Sequence, residues 1–451
     1  MTVPLAVGNV GDIDIGKFLK IYSSNGVYNN LSQNSDMWKY FLKLKSRDPG
    51  GRQLKYLLRT GYGPSAVQSM SASLQGDYPT AQRSDLSEAT AQYKDFGITV
   101  NIPRNLLNKT GNDLLQYADP LTEEMDAKMI VAGRIMSAQM QGDGTGVIGV
   151  LAATTLIDAV VTGQWTITLS TTSANAGRSH IGWFEEGDYI KFAAPGGTAR
   201  TLTSAYGKVV AIDEDADTVT FEGSNITVTS IGALAAGDYC YRAGTTPADF
   251  TGITTAADYN GFSECMTGLE SLTASDNRLV NGVNHTGIIS GSIRDAGAAP
   301  IDSSDFQKAM SLCKRRAGRG RYKYKNAFMY DTVYDALVES RETDRRFQSV
   351  EDGKRGVKML GYQHGADFIE FLPDEFVSKQ RIWILPESKD VLEFHGKDFE
   401  LVEVNAGQKF HLSTAASGAG HARSQSAYLE GSAVVVVKHA AAIGVIKNFT
   451  A

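Results

Sequence analysis

Between Tyr117 and Gly142 the apolar residues return at steps of three and four. Leu121, Met125, Met129, Ala132, Met136 and Met140 therefore share one face of a helix. Asp119 stands at the N-cap position and Pro120 follows it, where a missing N–H is harmless. Glu123, Glu124 and Asp126 place negative charge near the positive end of the helix dipole, and Gly142 supplies a stop. At 1.5 Å per residue the pattern predicts a rod about 30 Å long. Its thioether-rich stripe reads as a core surface lying on a sheet, not as a metal or cofactor site.

Upstream the pattern is different. Residues 1 to about 50 form an arm with one apolar cluster, Met37-Trp38-Lys39-Tyr40-Phe41-Leu42-Lys43-Leu44, ending at Asp48-Pro49-Gly50-Gly51. So small an element must dock elsewhere, on its own chain or on a neighbour. From Arg52 to Pro103 two extended segments, Tyr56–Met70 and Gln92–Ile102, flank a polar tip from Gln75 to Thr90. A two-stranded arm of this kind is marginal alone in water, which points to a partner surface.

After the helix, Gly142-Asp143-Gly144-Thr145-Gly146 lacks the P-loop Lys and follows a helix where a phosphate cradle would open one. From Asp158 to Thr246, short β-rich runs alternate with turns: 165–169, 188–192, 208–212, 218–221 and 238–241. Gly-Asp-Tyr introduces two of them, at Gly187 and Gly237. The spacing predicts a small antiparallel barrel or sandwich. The run Asp213-Glu214-Asp215-Ala216-Asp217 mimics a calcium loop. However, Thr218 stands where that loop needs glycine and Ser224 where it needs a bidentate Glu, so a hairpin turn is expected.

From Ala257 to Pro386 the pattern turns α/β. A helix capped by Ser303 or Ser304 runs through Cys313, with Phe306, Ala309, Met310 and Cys313 on one face. A strand at 327–330, a helix at 331–340 and a strand at 381–385 follow. The tail is mostly strand: 391–394, 399–404, 408–412, 433–437 and 443–446.

Net charge and cysteine usage narrow the function. A formal charge of −6 argues against a protein that is basic all over, though a basic patch occurs at Lys314, Arg315, Arg316, Arg319, Arg321, Lys323 and Lys325, interleaved with Tyr322 and Tyr324. The patch fits DNA phosphates or an inter-subunit contact. Cys240, Cys265 and Cys313 are too few and too scattered for a disulfide framework or a zinc site. No signal-peptide pattern and no membrane-length apolar run occurs, so a soluble protein made in a reducing cytoplasm is expected. No Gly-x-Ser-x-Gly elbow, His-Glu-x-x-His or paired-carboxylate signature stands out, and the seven histidines are scattered, His364 beside Gly361 and Asp367 among them. No enzyme activity, cofactor or metal is expected.

The order arm, long two-stranded loop, spine helix, inserted α/β domain and late strands resembles the major capsid protein of tailed bacteriophages, the Hong Kong 97 capsid fold. That resemblance implies an α+β fold of five parts: an N-terminal arm at 1–51, an extended loop at 52–103, and a peripheral domain at 104–145 and 388–451. An axial domain would occupy 146–157 and 247–387, and a β-rich insertion 158–246. It implies self-assembly through pentamers and hexamers into an icosahedral virion shell in the host bacterial cytoplasm, enclosing double-stranded DNA and touching no membrane. It also implies separate scaffolding and portal proteins, with room for a decoration protein. The tip from Gln75 to Thr90 holds no Lys, and Lys94 lies back on the second strand, so the shell is expected to be non-covalent. Trp38, Arg59, Arg83, Asp85 and Glu88 are the interface candidates. Arg315, Arg316, Arg319 and Arg321 are the candidates for DNA or inter-subunit contact. The alternatives are an encapsulin-type nanocompartment shell, or an enzyme or lectin acting through 158–246.

Overall fold

One long late strand pairs with a strand from the first quarter of the chain. The computed structural model describes residues 35–46, 51, 53–61, 85–103, 132–152, 157–158, 164–195, 207–222, 234–242, 265–276, 278–318, 320–342, 361–365, 367–401, 411–414 and 421–450. In the first part of the chain these form α1 (Asp36–Lys43), β1 (Gln53–Arg59), β2 (Leu86–Gln92), β3 (Lys94–Pro103) and α2 (132–141). Next come β4 (Val147–Val150), β5 (Ile157–Asp158), β6 (Gln164–Thr168), β7 (Tyr189–Ala193), β8 (Gly207–Asp213), β9 (Thr218–Glu222) and β10 (Tyr239–Arg242). The α/β part holds α3 (Leu269–Leu272), β11 (Arg278–Val280), β12 (Val283–His285), β13 (Ser292–Pro300), α4 (Ser303–Ala317), β14 (Tyr324–Met329) and α5 (Asp331–Glu342). It ends with β15 (Gly361–His364), β16 (Asp367–Pro373) and β17 (Arg381–Pro386). The tail is β18 (Leu392–Leu401), β19 (His411–Thr414), β20 (His421–Val437) and β21 (Gly444–Thr450).

The joining strand is β20. It pairs antiparallel with β3 along 424–433 on one edge, and with β18 and β19 on the other. Because side chains alternate faces along a strand, β20 feeds two cores. Val435 and Val437 join the main core, whereas Val434 and Val436 face the β1–β2 hairpin.

The main core lies around a six-stranded sheet ordered β13-β21-β17-β14-β16-β15. The buried run Ile382-Trp383-Ile384-Leu385 in β17 fits a strand covered on both faces. Asp302 is the N-cap of α4, one residue earlier than the expected serines, and the face Phe306, Ala309, Met310 and Cys313 is fully buried. The last strand departs from expectation. β21 lies inside this sheet, parallel to β13 and antiparallel to β17, not among the strands that accompany β20. An apolar stretch that is buried on both faces, Val445-Ile446, is best covered at the interior of a sheet.

A second core lies under the seven-stranded antiparallel sheet β4-β10-β7-β8-β9-β6-β5. Leu151 bridges Leu169, with Ala152 N donating to Thr168 O (2.9 Å) and Ser170 N to Val150 O (2.7 Å), so the ends of β4 and β6 meet. β4 therefore belongs with these strands, not with the α/β part to which 146–157 was assigned. The repeated Gly-Asp-Tyr makes the same turn twice. Gly187 and Gly237 take φ of 94° and 87°, and the following Asp accepts from a backbone N–H three residues earlier, at Glu185 (3.1 Å) and Ala235 (2.7 Å). Asp213 Oδ1 likewise accepts from Asp215 N and Ala216 N, closing the β8–β9 hairpin turn.

The described part of the long helix lies between the two cores. Ala132, Met136 and Met140 are buried, with Met136 and Met140 in the main core and Ala138 in the second. Residues 117–131, where the expected helix begins, lie outside the described residues.

Candidate assembly surfaces

The expected two-stranded arm pairs earlier than the pattern suggested. β1 pairs with β2 from Gln53↔Gln92 to Arg59↔Leu86, so 86–90 is strand, not polar tip. Of the expected return segment Gln92–Ile102, all but its first two residues pair instead with β20. The register separates two faces. Leu54, Tyr56 and Leu58 with Ala89 and Ala91 pack on Val283, Ile289, Val434 and Val436. Tyr56 Oη accepts from Asn281 Nδ2 (3.1 Å), and Thr90 N donates to Asn281 O (3.0 Å).

The opposite face carries Lys55, Leu57 and Arg59 across from Thr90, Glu88 and Leu86. Leu57 is 65% exposed and Leu86 58% exposed, and they are diagonal neighbours across the ladder. A Lys55–Glu88 ion pair (2.5 Å) and Arg59 flank them. Asp85 sits at the end where the chain passes from β1 to β2, and its carbonyl accepts from Thr60 N (2.9 Å). The structure thus brings Arg59, Asp85 and Glu88 together at one hairpin, with Leu57 and Leu86 between them. Arg83 lies outside the described residues.

Trp38 does not belong to that surface. It is 1% exposed and meets Phe394 edge-on at 5.3 Å between ring centroids. Ser35 caps α1 by accepting from Trp38 N (3.1 Å). Asp374 Oδ2 accepts from Ser35 Oγ (2.6 Å) and Met37 N (3.0 Å), and Tyr40 Oη donates to Pro386 O (2.7 Å). The cluster docks on its own chain because four large apolar side chains on one short helix find a complete apolar bed there.

The basic patch is largely committed within the chain. Arg316 donates to the carbonyls of Gly287, Ser290 and Gly291, Lys314 pairs with Asp367 (2.7 Å), and Lys325 pairs with Glu387 (2.5 Å). Arg316 is therefore withdrawn from the DNA candidates, since its donors already satisfy a turn. Arg319 lies outside the described residues. Arg315, Arg321 and Lys323 point outward, with Arg321 over the Tyr322 ring at 5.2 Å. Burial first, then Arg321 and Arg316, hold His439 below its ordinary pKa beside the Tyr322 hydroxyl.

No protein-family model matches the sequence, and no curated protein matches it. Solved structures do. The chain is similar to the cyanophage A-1(L) capsid asymmetric unit, with a TM-score of 0.47, 8% identity and 93% of each chain covered. It is also similar to the capsid of an empty GTA particle (TM-score 0.43, 10% identity, 91% of this chain and 90% of that one). A third is the SrpI encapsulin of Synechococcus elongatus (TM-score 0.38, 8% identity, 91% and 88%). At these scores and identities the likeness is one of chain path, not of residues.

Chemistry beyond packing is sparse. Among the described residues no three His, Cys, Asp or Glu side chains converge as metal ligands, and no helix is long and apolar enough to cross a membrane. His364 accepts from Lys314 Nζ (3.0 Å) and helps tie α4 to the β15–β16 turn, with burial and then Lys314 lowering its pKa. The loop 142–146 is held by Asp143, whose Oδ1 accepts from Thr145 N (3.0 Å) and whose other oxygen pairs with Arg178. An apolar hollow of about 240 Å³ opens at the end of α2, lined by Ala138, Gln139, Val147, Trp183, Arg242 and Met266.

Several organising residues escaped the sequence reading. Arg381, 4% exposed, clamps both carboxylate oxygens of Glu270 (2.6 and 2.9 Å) and the carbonyl of Ser173 (3.0 Å), binding β17, α3 and the second core together. Asp374 latches α1. Their partners lie a hundred or more residues away, so no local pattern marks them.

Proposed function

We propose that the chain is the shell-forming subunit of a tailed-phage head, assembling with copies of itself around double-stranded DNA. One observation carries the reading. The β1–β2 hairpin has docked one apolar face on its own chain and still presents Leu57 and Leu86, framed by Lys55, Glu88 and Arg59, to the outside. Scattered exposed apolar residues are ordinary, but a paired apolar centre inside a charged frame is the form of an interface anchor. β20 supports it, because one strand ties the root of the hairpin at β3 to the C-terminal sheet and gives the arm a rigid base.

On this reading the seven-stranded unit is a small closed β insertion on the shell surface, and separate scaffolding and portal proteins guide assembly. Lys94 is buried on β3, which fits a shell held without covalent links. Sedimentation and negative-stain microscopy of the purified chain, with and without its neighbouring gene products, test the proposal. Closed shells or rings of five and six subunits are expected, and Leu57→Asp with Leu86→Asp should hold the chain as monomers. A wild-type chain that stays monomeric under all these conditions would sink the reading. Shells that enclose protein cargo and never DNA would transfer it to a nanocompartment.

A further inference from the structure

Opposite charges gather at the two ends of β14. Before the strand stand Arg315, in the last turn of α4, and Arg321 and Lys323 in the loop; all three are exposed. After it, Asp331 opens α5, and Asp335 follows one turn later on the same exposed side. The β8–β9 turn adds to this second end: Tyr330 Oη donates to Glu214 Oε2 (3.1 Å), and Lys379 Nζ donates to Glu214 O (2.6 Å). Glu214 and Asp215 are exposed there. Of the described cations nearby, Lys379 pairs with Asp217 (2.8 Å) and Arg134 acts on Glu375, which leaves Glu214, Asp215, Asp331 and Asp335 in excess among the described residues. Burial first, then Asp335 and Glu214, push the Asp331 carboxyl above its usual pKa. Six residues of strand at about 3.3 Å each separate the two ends by roughly 20 Å.

Resting on the shell reading, we infer that the basic end of one copy, Arg315, Arg321 and Lys323, seats against the acidic end of the next, Glu214, Asp215, Asp331 and Asp335. A patch that meets a different patch on its neighbour makes a head-to-tail contact, the kind that closes into rings. Packaged DNA is the weaker partner for the basic end. Affinity for duplex DNA grows with the number of phosphates neutralised, whereas only Arg315, Arg321 and Lys323 remain uncommitted among the described residues of the patch, and the chain carries a net charge of −6. Among the described residues the acidic end has more carboxylates than paired cations, and carboxylates do not attract DNA phosphates.

Charge reversal tests the contact in the full-length chain. Arg321→Glu with Lys323→Glu, and separately Asp215→Lys with Asp335→Lys, should each raise the concentration at which shells form at least about tenfold. Combining all four substitutions in one chain should restore assembly to near the wild-type threshold. Wild-type assembly should weaken as salt rises from low to high ionic strength, and this check needs no variant to fold. Half-reversed chains that assemble like wild type overturn the inference. If their shells then retain less DNA, the basic end belongs to the genome. A salt-independent threshold also overturns it. A wild-type chain that forms no shell fails the shell reading itself, which is a different result from shells indifferent to these charges.

Discussion

Two short pieces, α1 and the β1–β2 hairpin, looked alike in the sequence: apolar, small and without a core of their own. In the structure they part ways. α1 buries Met37, Trp38, Tyr40 and Phe41 completely and is latched by Asp374 and Pro386. The hairpin fills one face with Tyr56, Leu58 and the small Ala89 and Ala91, and turns Leu57 and Leu86 outward. A helix concentrates its apolar residues in one stripe, so one docking satisfies it. A strand has two faces, and when both carry leucines one docking cannot satisfy both. On the shell reading, the unsatisfied face is what makes the hairpin the candidate for assembly and α1 a part of the fold.

The largest expected effect tests the folding half of that contrast. Trp38→Ala should destabilise the isolated chain by about 3–5 kcal/mol, the range for deleting a large core aromatic. Chemical denaturation reads it, and a loss under about 1 kcal/mol would mean that α1 is not part of the core.

Acid gives a somewhat smaller effect and separates the regions by position. His180 is buried where the seven-stranded unit meets the loop after β16, its Nε2 donating to Glu375 O (2.7 Å). Burial holds its pKa down at about 4. The folded state therefore binds this proton less readily than the unfolded chain, whose His titrates near 6.5. Stability is full above about pH 6.5 and falls as pH drops, reaching a loss on the order of 3 kcal/mol near pH 4. Hydrogen exchange should show the seam around 180–183 losing protection first, while 53–59, a stretch without histidine, follows later. Equal loss in both would remove His180 as the cause.

The smallest effect is the sharpest. Leu57→Ser with Leu86→Ser should leave the isolated chain's stability within about 0.5 kcal/mol, as expected of exposed positions. Shell formation should nevertheless fail. A melting temperature that falls as far as in Trp38→Ala would show that the outer face is part of the folding core after all.

Much of the local structure was legible because it depends on near neighbours. The strands at 164–168, 189–193, 207–213, 218–222 and 239–242 follow the β-rich runs between turns, and α4 follows its four-residue stripe. The near-calcium run was readable as a turn from its wrong residues alone. Pairing was less legible. Residues 94–103 are as apolar and extended as a return strand should be, yet β20, more than 300 residues later, is their partner. Likewise β4 and β21 joined sheets other than those their place in the sequence suggested.

The sequence by itself determined many of the helices and strands, α4 and the strands of 164–242 among them, and which of their faces are apolar. Those properties come from backbone propensity and side-chain period, which act over a few residues. Only the tertiary structure decided which apolar faces are satisfied within the chain. It buried Trp38, committed Arg316 to the 287–291 carbonyls, and left Leu57, Leu86, Arg321 and Asp335 outside. Whether a residue is core or interface depends on what remains uncovered once distant segments have packed, and no local pattern carries that information.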